Sequence, residues 1–144
     1  MKSVHERFQI VASYPALTDD AALSTSWINA GDVTRIFGLV LVGATDTTTD
    51  AKLQQATDSS GTGAKDVTDA AITQVTSTGD NRHCSIEVHP SKLDTANGFY
   101  WVRLTITAGN GSTGSNIAGV LMAEKRHQPV SQAAAYAEQI VVAY

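Results

Sequence analysis

The chain is poor in several things. It has one cysteine among 144 residues, so Cys84 has no intrachain disulfide partner and a disulfide-stapled scaffold is excluded. Lys and Arg number 10 against 14 Asp and Glu, leaving a formal net charge of -4. A duplex- or RNA-binding role needs a basic face set against phosphates, and the few basic residues here are scattered. No stretch approaches the roughly 18 consecutive apolar residues of a membrane-spanning helix. The opening MKSVHERFQIVASYP breaks an apolar run almost at once, which argues against a signal peptide. Together with the single thiol, it predicts a protein made and kept in a reducing compartment. Charged residues are only 17%, while Thr and Ser are abundant. A surface finished with hydroxyls rather than ion pairs suits packing against other protein.

What is present is the alternation of strands. Gly98 to Ala108 carries FYWVRLTITA and is followed by the glycine-rich GNGSTGSN. In a strand, Tyr100, Val102, Leu104 and Ile106 share one face, opposite Phe99, Trp101, Arg103 and Thr105. The first set is expected to be buried. The second is then either another buried layer or part of an interface. Other runs share the format: RFQIVASY at 7–14, which Pro15 should end or place at an edge; TSWINA at 25–30; HCSIEVHP at 83–90; AITQVTS at 71–77; and IAGVLMAEKRH at 117–127. RIFGLVLVGA at 35–44 is apolar on both faces, with Ile36, Val40 and Val42 opposite Phe37, Leu39 and Leu41. It is expected to be central to the fold or to turn its outer face to a partner. AKLQQATD at 51–58 reads as a polar strand near an edge, SSGTGAKDVTDA as a loop, and SKLDTANG as a short helical or irregular turn. About eight strands in one antiparallel β-sandwich, jelly-roll-like, are the expectation. Helix competes for VLMAEKRH and for the C-terminal SQAAAYAEQIVVAY. The expected layout is an N-terminal arm (1–6), a sandwich (7–130) and a C-terminal arm (131–144), extended or briefly helical.

Chemical motifs are thin. His83 and His89 share strand parity, about 20 Å apart at ~3.3 Å per residue, and Cys84 points the other way, so the three make no metal site. Asp46, Asp50, Asp66 and Asp69 lack the spacing and glycine of a calcium loop and read as turn and cap residues. GTGAKD lacks the lysine followed by Ser or Thr of a phosphate loop. No Gly-x-Ser-x-Gly elbow occurs. Asn110-Gly111-Ser112 reads as a turn. The expectation is a non-enzymatic protein with no cofactor.

The order of the pieces, ALTDDAALSTSWINAG, RIFGLVLVGATD, AKLQQATDSSGTGAKDVTDAAITQV, NGFYWVRLTITAGN and AGVLMAEKRHQPV, resembles a family of tailed-bacteriophage virion proteins. The resemblance covers roughly residues 8 to 130, and its motifs are structural rather than catalytic. It implies a particle component with a sandwich or jelly-roll body, decorating or cementing the outside of the head. Neck, tail or spike-base positions stay open. The implied partners are the major capsid protein and neighbouring copies of the chain, with a trimer as one form. The implied place is the outer capsid surface of the virion, after synthesis in the host cytoplasm.

Such a role needs a rigid body and projecting segments able to add to foreign sheet edges. Interface energy concentrates in aromatics and arginine. The expected contact residues are therefore Phe99, Trp101 and Arg103 on the body and Tyr136, Ile140, Val141 and Tyr144 on the C-terminal arm. A carbohydrate-binding sandwich using Trp27 or Trp101 with loop carboxylates is a third reading.

Overall fold

Two-residue alternation of apolar side chains builds the body, and glycine lets its two layers meet. The structure, a computed structural model, describes residues 8–19, 22–109, 111 and 114–125. Both expected arms, and with them Tyr136, Ile140, Val141 and Tyr144, lie outside the described residues.

Among the described residues ten strands follow in order: β1 (Phe8–Asp19), β2 (Ala22–Ser24), β3 (Ile28–Asn29), β4 (Val33–Thr45), β5 (Thr48–Ala56), β6 (Lys65–Ala71), β7 (Val75–Thr76), β8 (Arg82–Val88), β9 (Trp101–Ala108) and β10 (Ser115–Lys125). The four-stranded sheet has the order β1-β10-β4-β8, and the six-stranded sheet has β2-β9-β5-β6 with β3 on β9 and β7 on β5. Setting aside the two-residue β3 and β7, the pairing is nested. The first strand joins the last, the second the seventh, the third the sixth and the fourth the fifth, all antiparallel. A β-ribbon folded back on itself in this way is a jelly roll.

The core lies between the sheets. From the four-stranded sheet come Ala12, Ile36, Val40, Val42, Ile86, Val88, Ile117 and Leu121, and Leu23, Leu53, Val67, Val102, Leu104 and Ile106 face them, all buried. Leu121 stands opposite Gly38, and Gly119 opposite Val40. Both glycines lie under the six-stranded sheet. A Cβ on Gly38 would sit 3.4 Å from Leu104 Cδ1, and one on Gly119 only 2.7 Å from Ile106 Cδ1. Their missing side chains are the space into which Leu104 and Ile106 pack. At the β4–β5 corner a buried hydroxyl cluster ties the layers: Ser115 Oγ lies 2.5 Å from Thr45 Oγ1 and accepts from Thr49 Oγ1 at 3.2 Å. Burial without such partners would cost about 1–3 kcal/mol per hydroxyl.

Several expectations change. β1 runs through Pro15 rather than ending there, but Pro15 falls within a register shift between Tyr14 and Leu17 on an edge strand, where its missing N–H breaks no ladder. The 51–58 run is no edge. β5 sits between β9 and β6, and its polar residues Lys52 and Gln54 pair side chains on the outer face while Ala51 and Leu53 are buried. The segment SSGTGAKDVTDA is a loop only to Ala64; β6 then pairs with β5. Its inward Val67 and Ala70 are separated by two exposed residues, a spacing that hides the alternation. TSWINA and AITQVTS shrink to two-residue strands. Tyr100, expected inside, precedes β9 and is 42% exposed, because Gly98 turns the chain at φ 82° just before the ladder begins. Other readings hold: SKLDTANG is helical in two short 3-10 turns, and the 117–127 run is strand as far as Lys125, so the strand reading of VLMAEK prevails over its helical competitor.

Gly119→Ala is expected to lower stability by about 1–3 kcal/mol, the range for overpacking a core. Gly38→Ala, with more room, should cost less. Urea unfolding of both variants against the wild type is the check; equal stability of all three would mean that Ile106 gives way freely.

Candidate interaction surface

β9 brings Trp101 and Arg103 to the outer side of the six-stranded sheet, and Phe99 comes two residues before the strand; all three are half-buried. Cross-strand register sets their neighbours. Gln54 stands opposite Arg103, Ala56 opposite Trp101 and Lys52 opposite Thr105. Arg103 donates through Nε and Nη2 to Gln54 Oε1 at 3.0 and 2.8 Å, and Thr105 Oγ1 donates to the same oxygen at 3.1 Å. Its guanidinium carbon lies 4.6 Å from the centroid of the Trp27 ring, a cation–π stack. Gln54 Nε2 in turn donates to Asp66 Oδ1 at 3.0 Å, and Lys52 Nζ to Asp66 Oδ2 at 2.8 Å. The row Trp27–Arg103–Gln54–Asp66–Lys52 thus fixes long polar side chains before any partner arrives.

A second aromatic–cation pair lies beside it. Lys65 Nζ sits 3.9 Å from the Phe99 centroid and donates to Asp94 Oδ2 at 2.5 Å. Asn97 Nδ2 donates to Asp94 Oδ1 at 2.8 Å, and the Asp94 N–H donates to Gln55 Oε1 at 2.8 Å. The loop carrying GTGAKD closes this end. Gly61 (φ 85°) lies against Trp27, where a Cβ would come within 2.7 Å of Nε1, and Gly63 (φ 65°) lies against Phe99. Asp58 Oδ1 accepts the N–H groups of Ser60 and Thr62 at 2.8 and 3.1 Å. The loop's polar groups are spent on its own closure, as in an Asx turn.

Of the three residues singled out on the body, Trp101 and Arg103 therefore share the outer face and Phe99 precedes the strand beside Lys65, while exposed Tyr100 lies between Phe99 and Trp101, its carbonyl accepting from Ala30 N–H at 2.7 Å. The sequence reading missed Gln54 as a member and Tyr100 as an exposed residue. Strand parity pointed Tyr100 inward, and only the fold places Gln54 across from Arg103. Trp27 offers less to a sugar than the sequence reading supposed, since Arg103 covers one ring face and the Gly61 turn crowds its indole nitrogen. Elsewhere His83 and His89 point outward from the β8 region and are exposed, and Cys84 is half-buried against the core. Among the described residues, no group of three or more His, Cys, Asp or Glu side chains could hold a metal ion. No helix there is long and apolar enough to cross a membrane.

No family model matches the chain, and no curated protein does. A solved structure similar to it is that of the SPBc2 prophage-derived protein YomS. The identity is 12%, the TM-score 0.44, and the match covers 81% of this chain and 91% of that one. That likeness is too remote to carry a functional assignment.

Lys52, and after it Gln54, hold the Asp66 carboxyl below its ordinary value through their hydrogen bonds. Lys65 and Asn97 act likewise on Asp94. A carboxyl whose pKa is lower folded than unfolded contributes stability above the unfolded value of about 3.9. That contribution is lost as pH falls through the folded value. Below about pH 4 the wild type is expected to lose stability more steeply than Asp66→Asn. Urea midpoints measured against pH test this, and parallel acid limbs would remove Asp66 from the account.

Proposed function

We propose that this chain is a non-enzymatic structural protein of a bacteriophage particle, a decoration or cement protein that binds the outer surface of the head and stabilises the shell. The sequence resemblance over roughly residues 8 to 130 supports the particle. The observation that supports docking is the outer face of the six-stranded sheet, where Arg103, Trp27, Gln54 and Asp66 are held in one network, with exposed Tyr100 next to Trp101 in the chain. Aromatics and arginine dominate interface energetics, and side chains already immobilised lose little entropy when a partner covers them. The partners are the major capsid protein and neighbouring copies of the chain. Many copies, each with a modest contact, hold a shell by multivalency without a strong single anchor.

Co-sedimentation of the purified protein with mature and immature heads of its phage, with bound copies counted at saturation, tests the reading. Hundreds of copies per head, chiefly on mature heads, are expected. A handful would place the protein at the neck or tail, and no binding to any head form would sink the proposal. Within it, Tyr100→Ala and Trp101→Ala are each expected to weaken head binding by roughly tenfold or more. Unchanged binding in both would move the contact to another face.

A further inference from the structure

The outer face of the four-stranded sheet carries an apolar stripe that the docking reading above does not use. Phe37, Leu39 and Leu41 of β4 alternate outward, opposite the inward Ile36, Gly38, Val40 and Val42. Register sets Met122 beside Phe37 and Val120 beside Leu39, and adds Ile10 of β1 beside Met122. Leu41 is 48% exposed. Around the stripe the surface turns polar. His83, Ser85 and Glu87 line the β8 side, and Arg35, paired with Glu87 and Glu124, closes one end. An apolar centre with a polar rim is the anatomy of a covered surface.

We propose that the C-terminal segment 131–144 of the same chain covers this stripe. Where the chain leaves the sheet supports it. β10 lies between β1 and β4, and its last described residue, Lys125, pairs with Val33 at the Arg35 end of the stripe. The chain therefore departs from the middle of the sheet, beside the surface in question. Length supports it too. The stripe spans five residues along each strand, about 13–17 Å, whereas fourteen extended residues reach about 46 Å. Chemistry agrees. SQAAAYAEQIVVAY has a single charged residue, Glu138, and offers Tyr136, Ile140, Val141 and Tyr144. The contacts that the sequence reading gives to a neighbouring subunit are thereby made on the chain's own body.

The test uses the full chain with Cys84→Ser, Leu39→Cys, and a second cysteine placed in turn at Tyr136, Ile140, Val141 and Tyr144, oxidised at low protein concentration. An intramolecular disulfide in at least one of the four is expected, seen as a monomer of altered gel mobility. Disulfide-linked dimers would overturn the proposal in favour of a neighbouring copy. Where no disulfide forms, alkylation decides. In the single-cysteine Leu39→Cys chain, adding Ile140→Asp with Val141→Asp should speed labelling at least tenfold, and an unchanged rate overturns the proposal. Neither readout involves phage heads, so the inference stands or falls separately from head binding.

Discussion

The contact of Leu104 and Ile106 with Gly38 and Gly119 is the constraint on which the rest of this molecule depends. Two twisted sheets pack about 10 Å apart only if the side chains between them interdigitate. Here the two largest buried residues of β9 enter spaces that two glycines of β4 and β10 leave open. That contact joins the central strands of both sheets, so it sets their spacing and relative position together. The hydroxyl cluster of Thr45, Thr49 and Ser115 then closes the corner at which the chain crosses between layers.

With the inner faces committed to each other, the outer faces carry whatever the protein does, and they differ in kind. The six-stranded sheet turns out Trp101 and the cations Arg103 and Lys52, held by Gln54 and Asp66. The four-stranded sheet turns out Phe37, Leu39 and Val120 with a polar border. A rigid polar–aromatic face is fitted to meet another surface with little loss of entropy. A plain apolar stripe is fitted to be covered permanently. The jelly-roll nesting of the strands makes this division, because it sorts β4, β8 and β10 to one sheet and β5, β6 and β9 to the other.

Much of the fold was legible. The two-sided apolarity of 35–44 did mark a strand central in its sheet, and the inward set Val102, Leu104 and Ile106 was readable from parity alone. The failures have physical causes. β6 hid because its buried residues, Val67 and Ala70, are three apart across a bulged pairing with β5. β5 looked like an edge because polar residues alternate along it, yet Lys52 and Gln54 find partners on the neighbouring strands rather than in water. Tyr100 obeyed parity on paper, but the ladder starts one residue later.

The sequence by itself determined that the chain is all-β, where its major turns fall, and which face of most long strands is apolar. These are local properties, set by side-chain period and turn chemistry. Only the tertiary structure decided which strands are neighbours, that Gln54 meets Arg103 across 49 residues of chain, and that Trp27 is stacked rather than free. Such pairings depend on how loops close and sheets stack, and the period of a strand carries no record of its partner.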